Sequence, residues 1–64
     1  MKFHVPDMSC GGCARSVAKA VTLLDEQAKV DADTVSRTVS VETTAPAAQV
    51  MKALEDAGFP ATAV

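Results

Sequence analysis

Apolar residues recur at every second position in some stretches of this 64-residue chain and at every third or fourth in others, and the two periods take turns. "KFHVP" alternates, with Phe3 and Val5 on one face and Lys2 and His4 on the other, as in a half-buried strand. Pro6 ends it, because proline cannot donate to a ladder. From Cys13 to Leu24 the period changes: Ala14, Val17, Ala18, Val21 and Leu24 form one stripe, with Arg15, Ser16, Lys19 and Thr22 opposite. That is an amphipathic helix. "AKVDAD" alternates again through Ala28, Val30 and Ala32, "DTVS" can turn, and "RTVSVET" puts Val39 and Val41 on one face. Two such runs so close together read as a hairpin. Pro46 suits a first helical turn, with Thr44 before it as a cap. Ala47, Val50, Leu54 and Ala57 then make a second stripe, and Gly58 ends that helix. "FPATAV" is a short last strand, and Pro60 places it at an edge or a strand start.

The order is therefore βαββαβ. Two helices over one face of a four-stranded antiparallel sheet would bury every stripe, which is the ferredoxin-like, α+β arrangement. Residues 1–64 are expected to form a single domain. Lys2, His4, Asp31, Thr38 and Ser40 would lie on the opposite, solvated face. A chain of this length buries only ~60% of its unfolded surface, so there is room for one small core. With two Phe and no Trp or Tyr, that core is made largely of Val, Leu, Ala and Met.

A net charge of −2 argues against a general nucleic-acid binder. No apolar run approaches the ~20 residues of a membrane span, so no direct membrane insertion is expected. "MKFHVPDM" lacks the apolar stretch of a signal peptide and begins at a Met, which reads as a free-standing cytoplasmic protein. Thiols stay reduced in that compartment, so a close cysteine pair points to metal or redox chemistry rather than a structural staple.

The pair is Cys10 and Cys13 in "DMSCGGCARS". Thiolates favour soft ions such as Cu(I), Zn(II) or iron–sulfur clusters. A structural zinc or a cluster wants about four ligands, mostly Cys and His. This chain has two Cys and one His, and His4 is read as an ordinary strand residue on the solvated face. Two thiolates satisfy Cu(I) and leave zinc short. Cys13 is placed at the start of the first helix, where the dipole would lower its thiol pKa. Gly11 and Gly12 are read as the hinge that lets the sulfurs converge and leaves the site open on one side. An open two-ligand site suits passing an ion to a partner thiol. Met8 is read as a packing residue under the loop, and Phe59 as a core residue. Arg15 and Lys19, one turn apart beside the loop, are the candidate docking surface.

"MSCGGC" followed by "ARSVAKAV" resembles the Met-x-Cys-x-x-Cys motif of heavy-metal-associated domains, small soluble copper chaperones in particular. The likeness runs along the whole chain, through "VDAD…TVSV" and "ALEDAGF". It implies Cys10 and Cys13 as the ligands, Met8 as the motif methionine, and Cu(I) as the cargo. It further implies cytoplasmic delivery to the metal-binding domain of a copper-transporting P-type ATPase. No enzymatic activity is implied. The chain would be a monomer when apo, with a Cu-bridged dimer as an option when loaded. Asp7 replaces a common Gly, and Phe59 stands where the family often has Tyr, Lys or His. Two other readings stay open: the same fold carrying Hg(II) or Cd(II), and a thiol–disulfide redox protein. The second fits poorly, because a thioredoxin-like site is set in a longer chain.

Overall fold

The computed structural model describes residues 1–64. Its elements are β1 (Lys2–His4), α1 (Gly11–Leu24), β2 (Lys29–Asp33), β3 (Thr38–Glu42), α2 (Ala47–Asp56) and β4 (Thr62–Ala63). The strands form one sheet in the order β2-β3-β1-β4, with every pairing antiparallel. This is the ferredoxin-like α+β arrangement.

The register separates the two sheet faces. Ala32, Val39, Phe3 and Ala63 lie in one row across the sheet, whereas Asp31, Ser40 and Lys2 form a polar row beside it. His4 pairs with Thr38 and Thr62 on the polar face and is half-buried. The terminal ammonium of Met1 donates to the Val41 carbonyl at 3.0 Å, and the Val41 N–H returns a bond to the Met1 carbonyl at 2.8 Å. The chain is thus tied to β3 from its first residue, just ahead of β1.

The core consists of Phe3, Val5, Met8, Val17, Val21, Val39, Val41, Val50 and Leu54, all fully buried. Each such side chain contributes about 1.5–3 kcal/mol relative to exposure. Cys13, Ala14, Met51, Phe59 and the alanines of β2 and its approach pack against this cluster. Three members of the expected stripes lie elsewhere. Leu24 is more than one-third exposed at the end of α1, and Ala47 and Ala57 are exposed at the two ends of α2. All three fall at helix ends, where the apolar period continues in the sequence although the side chain is not covered. Met51, outside the expected stripe, is half-buried instead.

The start of α2 also differs from expectation. Pro46, not Thr44, is the N-cap, and no side chain caps it. Thr43 takes a different role: its hydroxyl donates to Asp25 Oδ2 at 2.6 Å and accepts from the Ala45 N–H at 3.1 Å. Asp25 caps the C-terminus of α1, so this bond ties the end of one helix to the approach of the next. The expected stop at Gly58 is present, with φ +92°. The Phe59 N–H bonds to the Leu54 carbonyl at 2.8 Å and the Gly58 N–H to the Glu55 carbonyl at 3.0 Å, a Schellman motif that directs Phe59 back onto the core. No helix is long and apolar enough to cross a membrane.

Candidate metal site at the first helix

The site is built on a tight turn after β1. Val5 is fixed by its N–H, which donates to the Arg37 carbonyl at 2.7 Å. The Met8 N–H turns back to the Val5 carbonyl at 3.0 Å, and the Met8 side chain drops into the core with no exposed surface. Ser9 and Cys10 are thereby left at the surface immediately above it.

Cys10, not Cys13, opens the helix. It is the N-cap of α1, with extended backbone angles of φ −139° and ψ 163°. Its carbonyl accepts the first helical bond from the Ala14 N–H at 3.0 Å. Its thiol accepts from the Cys13 N–H at 3.2 Å. A sulfur thus takes the place of the usual Ser or Asp oxygen in satisfying an unpaired amide of the first turn. Gly11 and Gly12 are the first two residues of the helix rather than a hinge before it; Gly58 is the glycine with positive φ. They act by what they lack. A Cβ at Gly11 would meet only open space, and one at Gly12 would lie 4.0 Å from Cys10 Sγ. The approach to the thiols is therefore left bare.

Both cysteines are free thiols; Cys10 is exposed and Cys13 half-buried against the core. The Cys10 thiol is held below the ordinary thiol range. The largest cause is hydrogen bonding by the Cys13 side chain, followed by the Cys13 backbone N–H. Desolvation opposes these two bonds, and the Gly12 backbone and the Arg15 charge add lesser effects that lower the thiol further. The apolar period alone puts the helix start, and with it the acidified thiol, at Cys13; the structure puts both at Cys10. The helix begins earlier than the apolar period suggests, because the two glycines carry no side chain to mark its first turn. No acidic residue occupies that turn, so the positive end of the helix faces the sulfurs uncompensated.

No His, Asp or Glu joins the two thiols to make a group of three ligating side chains. His4, half-buried on β1, is not brought to them. Arg15 and Lys19 are both exposed on α1 as expected, but they face different surroundings. Arg15 reaches back toward Cys10, with Nη2 3.9 Å from the Cβ position of Gly12. Lys19 lines a groove of about 520 Å³ between the helices, together with Ser16, Ala20, Leu23, Ala53 and Asp56. Leu23 stands 79% exposed there. The helical period assigns Leu23 to neither stripe, and only the packing of α1 beside α2 shows it as a groove wall.

The heavy-metal-associated domain family matches residues 2–60 of the chain. The chain belongs to that family. A gold-binding protein of known crystal structure is 49% identical, with a TM-score of 0.93 over 95% of this chain and 94% of that one. The copper chaperone Atx1 from Synechocystis PCC6803, in a trimeric form, is 32% identical with a TM-score of 0.94, covering 97% and 98% of the two chains. A heavy metal binding protein from Thermotoga maritima is 29% identical with a TM-score of 0.82, covering 98% and 94%. No curated protein matches in sequence. The family and these likenesses make the chain a metal-binding domain.

Proposed function

We propose that the chain is a Cu(I) carrier that holds its cargo between Cys10 and Cys13 and surrenders it by thiolate exchange. The observation that carries this reading is the pairing of two converging thiols, one exposed and acidified, with no third ligating side chain beside them. A d¹⁰ monovalent ion is content with two thiolates, whereas Zn(II) wants four ligands. Bare glycines over the site leave room for an incoming sulfur. Transfer then passes through a three-sulfur intermediate: a partner thiolate binds the ion, one of the chain's thiolates leaves, and the second follows. The chain acts as a carrier and not as an enzyme, and its place of action is the cytoplasm. The receiver is the metal-binding domain of a copper-transporting P-type ATPase, a reading supported by the likeness to a copper chaperone. In the absence of a receiver, the same exposed thiols allow a second copy to share the ion in a Cu-bridged dimer.

The 49% identity to a gold-binding protein favours one further reading, Au(I) as cargo, because Au(I) takes the same two-sulfur coordination. Hg(II) and Cd(II) remain as soft divalent alternatives. Anaerobic competition of the reduced protein against chelators for Cu(I), Au(I), Hg(II), Cd(II) and Zn(II) separates these cargoes. One Cu(I) per chain, lost in Cys10→Ser with Cys13→Ser and kept in His4→Ala, is the expected result. Tight Cu(I) binding by the double serine variant would remove the site assignment.

A further inference from the structure

We propose that Arg15 is a specificity-determining residue, which biases the two-thiol site toward monovalent soft ions over divalent ones. The inference rests on Cys10 and Cys13 being the ligands, as in the proposed function.

The geometry comes from the bare Gly12. Its Cβ position lies 3.9 Å from Arg15 Nη2 and 4.0 Å from Cys10 Sγ, which leaves guanidinium and sulfur at most about 8 Å apart. Arg15 is exposed and makes no ion pair with a carboxylate of the chain. From Met8 to Leu24 the chain carries Arg15 and Lys19 and no acidic residue. The guanidinium is therefore an unneutralised, permanently charged group beside the site.

Charge balance turns this placement into selectivity. Both kinds of ion displace the same protons and leave two thiolates, with a combined charge of −2. A bound Cu(I) or Au(I) leaves the site at −1, whereas a bound Hg(II) or Cd(II) leaves it neutral. The guanidinium attracts the first complex and has no net charge to attract in the second. The apo site is the same starting point for both ions, so its own interaction with Arg15 cancels from the ratio of affinities. At about 8 Å in a water-like dielectric, one pair of unit charges amounts to roughly a two- to threefold change in a binding constant. Reversing the charge doubles that energy and so squares the factor, to roughly four- to ninefold.

The test measures Cu(I) affinity against a Cu(I) chelator and Hg(II) affinity against dithiothreitol, at low salt, for the wild type and for Arg15→Ala, Arg15→Lys and Arg15→Glu. Circular dichroism checks that each variant is folded. The expected result is a Cu(I)-to-Hg(II) affinity ratio about two- to threefold lower in Arg15→Ala and about four- to ninefold lower in Arg15→Glu. Arg15→Lys should restore most of it. In the wild type the ratio should fall as salt rises, which tests the proposal without any substitution. Equal losses for both ions would show a structural role for Arg15 and overturn the proposal. So would an unchanged ratio in Arg15→Glu. A wild-type protein that fails to take Cu(I) would overturn the carrier reading first, and this inference with it.

Discussion

Met8 lies two residues before Cys10, near enough in sequence to offer a third sulfur, and its side chain has no exposed surface. Burial decides its role. Truncating a fully buried methionine to alanine costs about 2–5 kcal/mol, because the cavity is only partly refilled. Met8→Ala should therefore lower stability by that amount in denaturant unfolding, while Met8→Leu stays within about 1.5 kcal/mol. Cu(I) stoichiometry should be one per chain in both, and a lost site in folded Met8→Leu would mean the thioether is a ligand after all. The two cysteines invite a similar comparison. Cys10 caps the helix and is the acidified thiol, whereas Cys13 supplies the hydrogen bonds that acidify it. Alkylation of the apo protein, resolved by mass spectrometry across a pH series, should modify Cys10 at a pH below that of a free cysteine. A Cys10 that reacts only in the range of a free thiol, near ~8.5, would contradict the cap geometry.

At the scale of elements, the joint between the two helices is an ion-assisted one. Asp25 accepts from the Thr43 hydroxyl and from the Gln27 N–H, and these bonds, the hydroxyl first, hold its carboxyl below the usual carboxylate range. A depressed folded-state value means the unfolded chain binds its proton more readily. The stabilisation is fully present above the unfolded value of ~4 and is lost as pH falls through the lower folded value. Thr43→Val should lower the melting temperature at neutral pH and flatten its dependence on pH below ~4. A Thr43→Val protein with the wild-type acid profile would show that the bond does not persist in solution. The joint also shows where sequence reading runs out. Strand alternation and helical stripes located all six elements and the sheet's two faces, since burial is periodic and periodicity is visible in residue type. The Thr43 bond was not visible, because it joins residues 18 apart that carry no pattern in common. The true start of α1 was hidden for a related reason: a cysteine cap and two glycines give no periodic signal. Gly58 was legible because only glycine takes φ +92° without strain.

For the molecule as a whole, the thiols at one end of α1 and the interhelical groove beside them lie on the same side of the sheet. Ser16, one turn past Cys13, lines the groove, so one end of this surface lies within a helical turn of the thiols. In the proposed transfer, a receiver would need its own pair of thiols opposite Cys10 and Cys13, and its encounter would gain from an acidic rim facing α1. Lys19 is the cation to test, because it lines the groove and lies more than one turn beyond the cysteines. Arg15 cannot serve for this purpose, since its charge also acts on the bound ion. Exposed rim charges change encounter rate and salt dependence far more than intrinsic affinity. Lys19→Glu should therefore slow Cu(I) transfer to an acidic metal-binding domain several-fold at low salt. Its Cu(I) affinity and melting temperature should match the wild type, because Lys19 is neither a ligand nor part of the core. The difference should fade as ionic strength rises, since screening at ~0.1 M already acts over about 10 Å. Stopped-flow transfer at low and high salt reads both expectations. Identical low-salt rates for Lys19→Glu and wild type would place the encounter elsewhere, on the glycine-lined approach to the thiols and the half-buried Phe59.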